Sequence, residues 1–141
     1  MLLFIVFAPL ITALLILIGA PARRTALLGA TVTTGATLAA FFLYDPVRAG
    51  FQFVRSFPIS ANWRLQFLLG ADGLTLVMLF LAALVLLCAV WFTPPIEKYE
   101  RLFYACLLFL AGGAIGAFAS LDLFFLYAFH EIGRASCRER V

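Results

Sequence analysis

The side chains best placed to do chemistry lie in one short stretch, residues 120–132, SLDLFFLYAFHEI. Asp122 stands near its start, aromatic and aliphatic residues follow, and His130 and Glu131 sit side by side near its end. Keeping a carboxylate in an apolar segment is costly, and ionisable groups held within membranes commonly mark ion or proton pathways. Glu131 is therefore the candidate proton carrier. His130 is the candidate neighbour on such a path, because histidine titrates nearest neutral pH. A packed, neutral histidine beside the path is the equal alternative.

Helical geometry limits what these residues can do together. At about 100° per residue, Asp122 and Glu131 fall on opposite faces and about 13 Å apart along the axis, so they form no acid/base pair. Asp122 and His130 are about 80° apart in projection but nearly two turns separated, which rules out a direct bond. Asp122 is read mainly as a helix cap at the membrane edge.

The frame that must hold this segment is a membrane protein. The chain is 65% hydrophobic and only 12% charged, and its mean hydropathy is +1.11. Soluble domains carry about a quarter charged residues. The apolar residues come in runs close to the roughly 20 residues that span a bilayer. The fold class expected is all-α: a polytopic transmembrane helix bundle, with spans at about 2–20, 26–44, 73–92, 102–119 and 121–132 and a loop over 45–71. The partner this implies is the lipid bilayer.

The formal net charge of +3 comes largely from Arg134, Arg138 and Arg140, which with Glu139 lie in the last eight residues. Without those residues seven basic and six acidic groups remain. No basic patch is left to indicate nucleic acid or a polybasic lipid anchor. Cys88 and Cys106 sit in apolar runs and Cys137 near the C-terminus. Their spacing forms no metal motif or disulfide framework, so they are expected to pack as small buried hydrophobes.

In chain order, the first run carries Pro9 and Thr12, and its nearest positive charges, Arg23 and Arg24, follow it. A secretory signal has its charges before the apolar run, so this is read as a retained first helix. Thr31, Thr33, Thr34 and Thr37, with Gly29 and Gly35, mark the second run as one that packs closely on other helices. Asp45, Pro46, Arg48, Arg55, Pro58, Asn62 and Arg64 take the chain out of the membrane. Within that loop FQFV and WRLQF alternate apolar and polar residues, as a hairpin on the membrane surface would. Asp72 is placed to cap the third helix, and Pro94 and Pro95 end it. Glu97, Lys98, Glu100 and Arg101 form a solvated turn. Gly112 and Gly116 then give the fourth helix a small-xxx-small face, with the fifth as its antiparallel neighbour. Counting Lys and Arg, the short connections holding Arg23, Arg24, Lys98 and Arg101 are expected on the cytoplasmic side, with the N-terminus outside.

After Ile132 the character changes. GRASCRERV is polar and basic and is not expected to continue the fifth span. The run EIGRASCRERV resembles a translated sequencing-library adapter, which makes 133–141 an expected adapter-derived tail and puts the join at Glu131. The gene product is then expected to be longer than this chain.

The segments GADGLTLVMLFLAALV, IEKYERLFYACLLFLAGGAIGAFAS and LDLFFLYAFHE resemble the N-terminal part of the proton-pumping membrane chain M of NADH–quinone oxidoreductase, respiratory complex I. The resemblance implies five spans of a longer antiporter-like subunit in the cell inner membrane, alongside other complex I membrane subunits. It implies that Glu131 pairs with a lysine on a later span and helps to move protons as that pair forms and breaks. Many family members have Trp where this chain has His130, a departure that points to a wider pocket beside the glutamate. No nucleotide loop, cysteine cluster or haem-ligand pair occurs, so this chain is expected to hold no cofactor; NADH, FMN, Fe–S clusters and quinone belong to other subunits. Two other readings compete: a subunit of a Mrp-type cation/proton antiporter or membrane-bound hydrogenase, and a purely structural membrane bundle.

Overall fold

The computed structural model describes residues 1–45, 52–60, 65–94, 96 and 98–138. Pro46, Arg48, Phe51, Asn62, Trp63, Arg64, Pro95, Glu97, Glu139 and Arg140 lie outside the described residues. The elements run in the order α1 (Leu2–Ile18), α2 (Ala22–Leu43), β1 (Gln52–Ser60), β2 (Leu65–Ala71), α3 (Gly73–Phe92), α4 (Glu100–Ala119) and α5 (Leu123–Arg138).

Local chemistry sets the boundaries. Gly19 ends α1 with φ 132°, and its N–H and that of Ala20 return to the Ile16 and Leu15 carbonyls at 3.2 Å. That φ is one only glycine adopts freely. Pro21 follows with φ −62°, and α2 starts at Ala22, earlier than the apolar run at residue 26 indicates. Proline has the backbone angle a helix entry needs, and arginine is a good helix former, so the two arginines join the first turn.

Among the described residues three helices are long and apolar enough to cross a membrane: Ala22–Leu43, Gly73–Phe92 and Glu100–Ala119. Helix α1 is apolar but has 17 residues, about 26 Å at 1.5 Å per residue, the lower edge of what spans a bilayer. Helix α5 departs further from the expected five spans. It does not stop at Ile132 but stays helical to Arg138. Extending an existing helix adds one hydrogen bond per residue fixed, and Arg and Ala favour it, so an apolar period is unnecessary.

The helices run up and down, with α4 at the centre packed against α1, α2, α3, α5 and β2. One core cluster, including Leu2, Ile5, Leu69, Leu76, Ile115 and Phe129, lies at the hairpin end. The other, including Ile16, Ala26, Val90, Tyr104 and Leu108, lies at the opposite end. Strands β1 and β2 pair antiparallel, with Gln52 opposite Ala71 and Phe57 opposite Phe67. The hairpin is tied to the bundle: Leu69 bridges to Ser120, and the Leu121 N–H donates to the Leu68 carbonyl at 2.9 Å.

Helix pairs join through small residues. The Thr34 hydroxyl contacts the Ala30 carbonyl at 2.8 Å and reaches across to the Ala83 carbonyl of α3 at 3.1 Å. Thr33 and Thr37 are fully buried. Cys106 is buried as expected, whereas Cys88 is exposed. Helix α3 buries the stripe Leu76, Leu79, Ala83, Leu86 and Val90, and Cys88 falls outside that stripe on the outer surface.

Candidate functional site

Helix α4 positions α5 through two glycines. A Cβ at Gly113 would come within 2.8 Å of the Phe129 carbonyl oxygen and 2.9 Å of the Gly133 nitrogen, and at Gly116 it would overlap the Phe129 ring. Gly112 turns elsewhere: a Cβ there would meet Leu10 and Pro9 of α1. The single Gly112/Gly116 face expected from the sequence is thus divided. Residues four apart differ by about 40° on a helix, and α4 is wedged between two neighbours. Gly113 and Gly116 carry α5, and Gly112 carries α1.

Two carboxylates cap the helices at the hairpin end. The Thr75 N–H donates to Asp72 Oδ1 at 2.7 Å. Hydrogen bonding from Thr75 holds the Asp72 carboxyl below its ordinary range, as expected when donors favour the charged form. At α5 the Phe124 N–H donates to Asp122 Oδ1 at 2.8 Å, and the Ser120 hydroxyl bonds the Asp122 carbonyl at 3.1 Å. Both aspartates therefore do the capping work read from the sequence, and β2 leads directly into the first of them.

With Phe129 and Gly133 turned to α4, His130 and Glu131 are rotated off the contact. His130 lines an apolar groove of about 430 Å³ between α4 and α5, bounded by Leu110, Gly113, Ala117, Phe118 and Arg134 among others. Glu131 is partly exposed, with Oε1 at 3.7 Å from His130 Nδ1 and 3.7 Å from Arg134 Nη1. These are ion-pair distances too long for hydrogen bonds. Asp122 is not among the Glu131 partners, in line with their opposite faces. Arg134, within the stretch 133–141 expected as an adapter-derived tail, is the cation that α5 places nearest Glu131. Its spacing of three from Glu131 on one helix was the available signal.

The arrangement places an imidazole on the apolar groove and a partly exposed carboxylate next to it on the same helix. Among the described residues no three His, Cys, Asp or Glu side chains gather as a metal site requires.

Fold and site together define a multi-pass membrane helix bundle with an acidic side chain on its last helix. No family model matches the chain. It is similar to an NAD(P)H-quinone oxidoreductase chain 4 of a Synechococcus species, 32% identical over 96 residues, which covers 67% of this chain and 18% of that protein. It is similar also to NADH-quinone oxidoreductase subunit M of Rickettsia conorii, 27% identical over 137 residues, covering 89% of this chain and 28% of the relative. A chain of respiratory complex I from Thermus thermophilus with bound NADH superposes with a TM-score of 0.79 and 25% identity, over 96% of this chain and 27% of that one. The likeness to complex I chain M read from the sequence is thus shown by its homologues and by the fold. The chain spans less than a third of the length of each of these relatives.

Proposed function

We propose that this chain is the N-terminal part of a proton-translocating membrane subunit of an NADH–quinone oxidoreductase, and that Glu131 is the proton-path carboxylate of its fifth helix. The observation that carries the reading is the setting of Glu131. It stands on a helix pressed against α4, and among the described residues its charged neighbours within 4 Å, His130 and Arg134, are both on that same helix. Ionisable groups inside a bilayer pair with one another; with the residues from 133 onward read as adapter-derived, Arg134 is not the native partner, and a lysine on a later span would fill that role. His130 is proposed as its neighbour on the path, facing the groove along α4.

In this reading α1 and α5 complete a five-span N-terminal portion in the inner membrane, with the N-terminus outside. The redox chemistry of NADH, flavin, iron–sulfur clusters and quinone belongs to other subunits, and this chain moves protons in response. The residues from 133 onward are adapter-derived. Reading the genomic locus past codon 131 tests that directly: an apolar continuation is expected, and a genomic GRASCRERV would overturn it.

The function is tested in the complete subunit. Glu131→Gln in the assembled oxidoreductase is expected to abolish or strongly reduce proton pumping per NADH oxidised while assembly stays normal. Unchanged pumping in a normally assembled complex would sink the assignment.

A further inference from the structure

Strand β2 holds the starts of two helices at once. It pairs with β1, Ser56 opposite Leu68, and it also takes the connection between α4 and α5. Leu69 bridges antiparallel to Ser120, and the Leu121 N–H donates to the Leu68 carbonyl at 2.9 Å. Ala71 ends the strand, and Asp72, the cap of α3, follows with no residue between. Asp122, the cap of α5, follows Leu121 in the same way. The strand is itself anchored in the bundle. Leu69 and Ala71, on one face of it at a spacing of two, are fully buried in the cluster that includes Leu76 of α3 and Phe129 of α5.

Among the described residues little else holds the first two turns of α5. Leu123, Phe124, Leu126 and Tyr127 are exposed, and no side chain of the helix is buried before Phe129. The Phe129 ring meets Gly116 of α4, which fixes the rotation of the helix there. The end at Asp122 is held through backbone. Glu131 lies nine residues beyond Asp122, about 13 Å along the axis at 1.5 Å per residue. That is close to half the roughly 30 Å hydrocarbon thickness. Helices curve only gently over such a length, so the level at which Leu121 is tied is the level from which Glu131 is measured.

We propose that the edge of β2 sets the depth of Glu131, and that the Leu121 N–H on the Leu68 carbonyl is the positioning group that holds α5 level with α3. The proposal rests on the reading of Glu131 as a proton-path carboxylate, since depth decides whether a cation on another span can reach it. A looseness of about 1 Å is enough to spoil a functional constellation.

The test is Leu121→Pro in the complete subunit of the assembled oxidoreductase. Proline removes this one N–H and costs α5 no helical bond, because Leu121 precedes the cap. Ser120 already has the extended backbone, φ −79° and ψ 128°, that a following proline requires. Leu121→Pro is expected to let the first-turn amides of α5 exchange faster and to lose most of the protons pumped per NADH oxidised, with assembly kept. Leu121→Ala, which keeps the N–H, should pump as the parent does. Leu69 and Ser120 face each other as a non-hydrogen-bonded pair, with Cα atoms about 4.5 Å apart, within the range a disulfide spans. Joining Leu69→Cys to Ser120→Cys in the Leu121→Pro background should restore pumping when oxidised and lose it on reduction, which a general folding defect would not do. Parent-like pumping by Leu121→Pro, in preparations where Glu131→Gln abolishes pumping, overturns the proposal and leaves the Glu131 reading standing. Normal pumping by Glu131→Gln sinks that reading and the proposal with it. A Leu121 amide in the unmodified complex that exchanges as fast as a free loop amide also overturns the proposal, even if a variant fails to assemble.

Discussion

The ring of Phe129 occupies the space that a Cβ at Gly116 would need, so α4 and α5 meet with almost no side chain between them. One turn back, Gly113 faces the Phe129 carbonyl and the Gly133 nitrogen in the same way. The rotation of α5, and with it the direction of His130 and Glu131, is set by these two glycines. Gly113→Ala and Gly116→Ala are each expected to destabilise the helix pair by about 1–3 kcal/mol, the cost of overpacking a closed contact. Gly35→Ala meets nothing within 4 Å and should stay within about 0.5 kcal/mol of the parent. Unfolding in mixed micelles followed by circular dichroism makes the comparison.

The α2–α3 contact has a polar component of known reach. Thr34→Val removes a hydroxyl that bonds its own helix at Ala30 and crosses to Ala83. Because one hydroxyl proton serves both acceptors, the expected loss is small, about 0.6 kcal/mol, as for other hydrogen bonds between membrane helices. The same unfolding measurement applies, and a loss of several kcal/mol would show that Thr34 does more than bridge two carbonyls.

The cap at Asp72 gives a pH dependence with a definite sign. Hydrogen bonding from Thr75 holds its carboxyl below the ordinary value of 3.8, so the folded chain favours the ionised form more than the unfolded chain does. Its contribution is fully present above the unfolded value and fades as pH falls through the lower, folded value. Stability of the parent should therefore drop below about pH 4 by more than that of Asp72→Asn, which cannot titrate. Asp72→Ala should be less stable than both near neutral pH, having lost the bond to the Thr75 N–H. Identical acid profiles for parent and Asp72→Asn would remove the cap from the account.

Much of this could be read from residue types. Asp72 and Asp122 were legible as caps because capping is local: a short acceptor followed by an apolar run. The hairpin was legible from period-two alternation. The division of labour between Gly112 and Gly116 was not legible. Their spacing predicts one face, and only the placement of α4 between α1 and α5 shows that Gly113 takes the second role. Cys88 was misplaced for a related reason: in a chain apolar all round, composition does not say which stripe is inside. The Arg134 contact with Glu131 was hidden by a change of composition that ends the apolar run without ending the helix.

Tyr104 offers a test of how the second core cluster is built. It is fully buried among Ile16, Ala26, Val90 and Leu108, and among the described residues its hydroxyl has no hydrogen-bond partner. A buried donor left unpaired costs about 1–3 kcal/mol, and an apolar replacement of the same shape removes that cost. Tyr104→Phe keeps the ring and its edge-on contact with Phe103, whose centroid is 5.5 Å away. It is expected to match or exceed the parent in stability, by about 1 kcal/mol. Tyr104→Leu, which loses the aromatic contact and leaves a cavity, should instead lose about 1–3 kcal/mol. If Tyr104→Phe proved less stable than the parent, the hydroxyl would have to be bonded, and a buried water between Tyr104 and the first turn of α2 would be the species to look for.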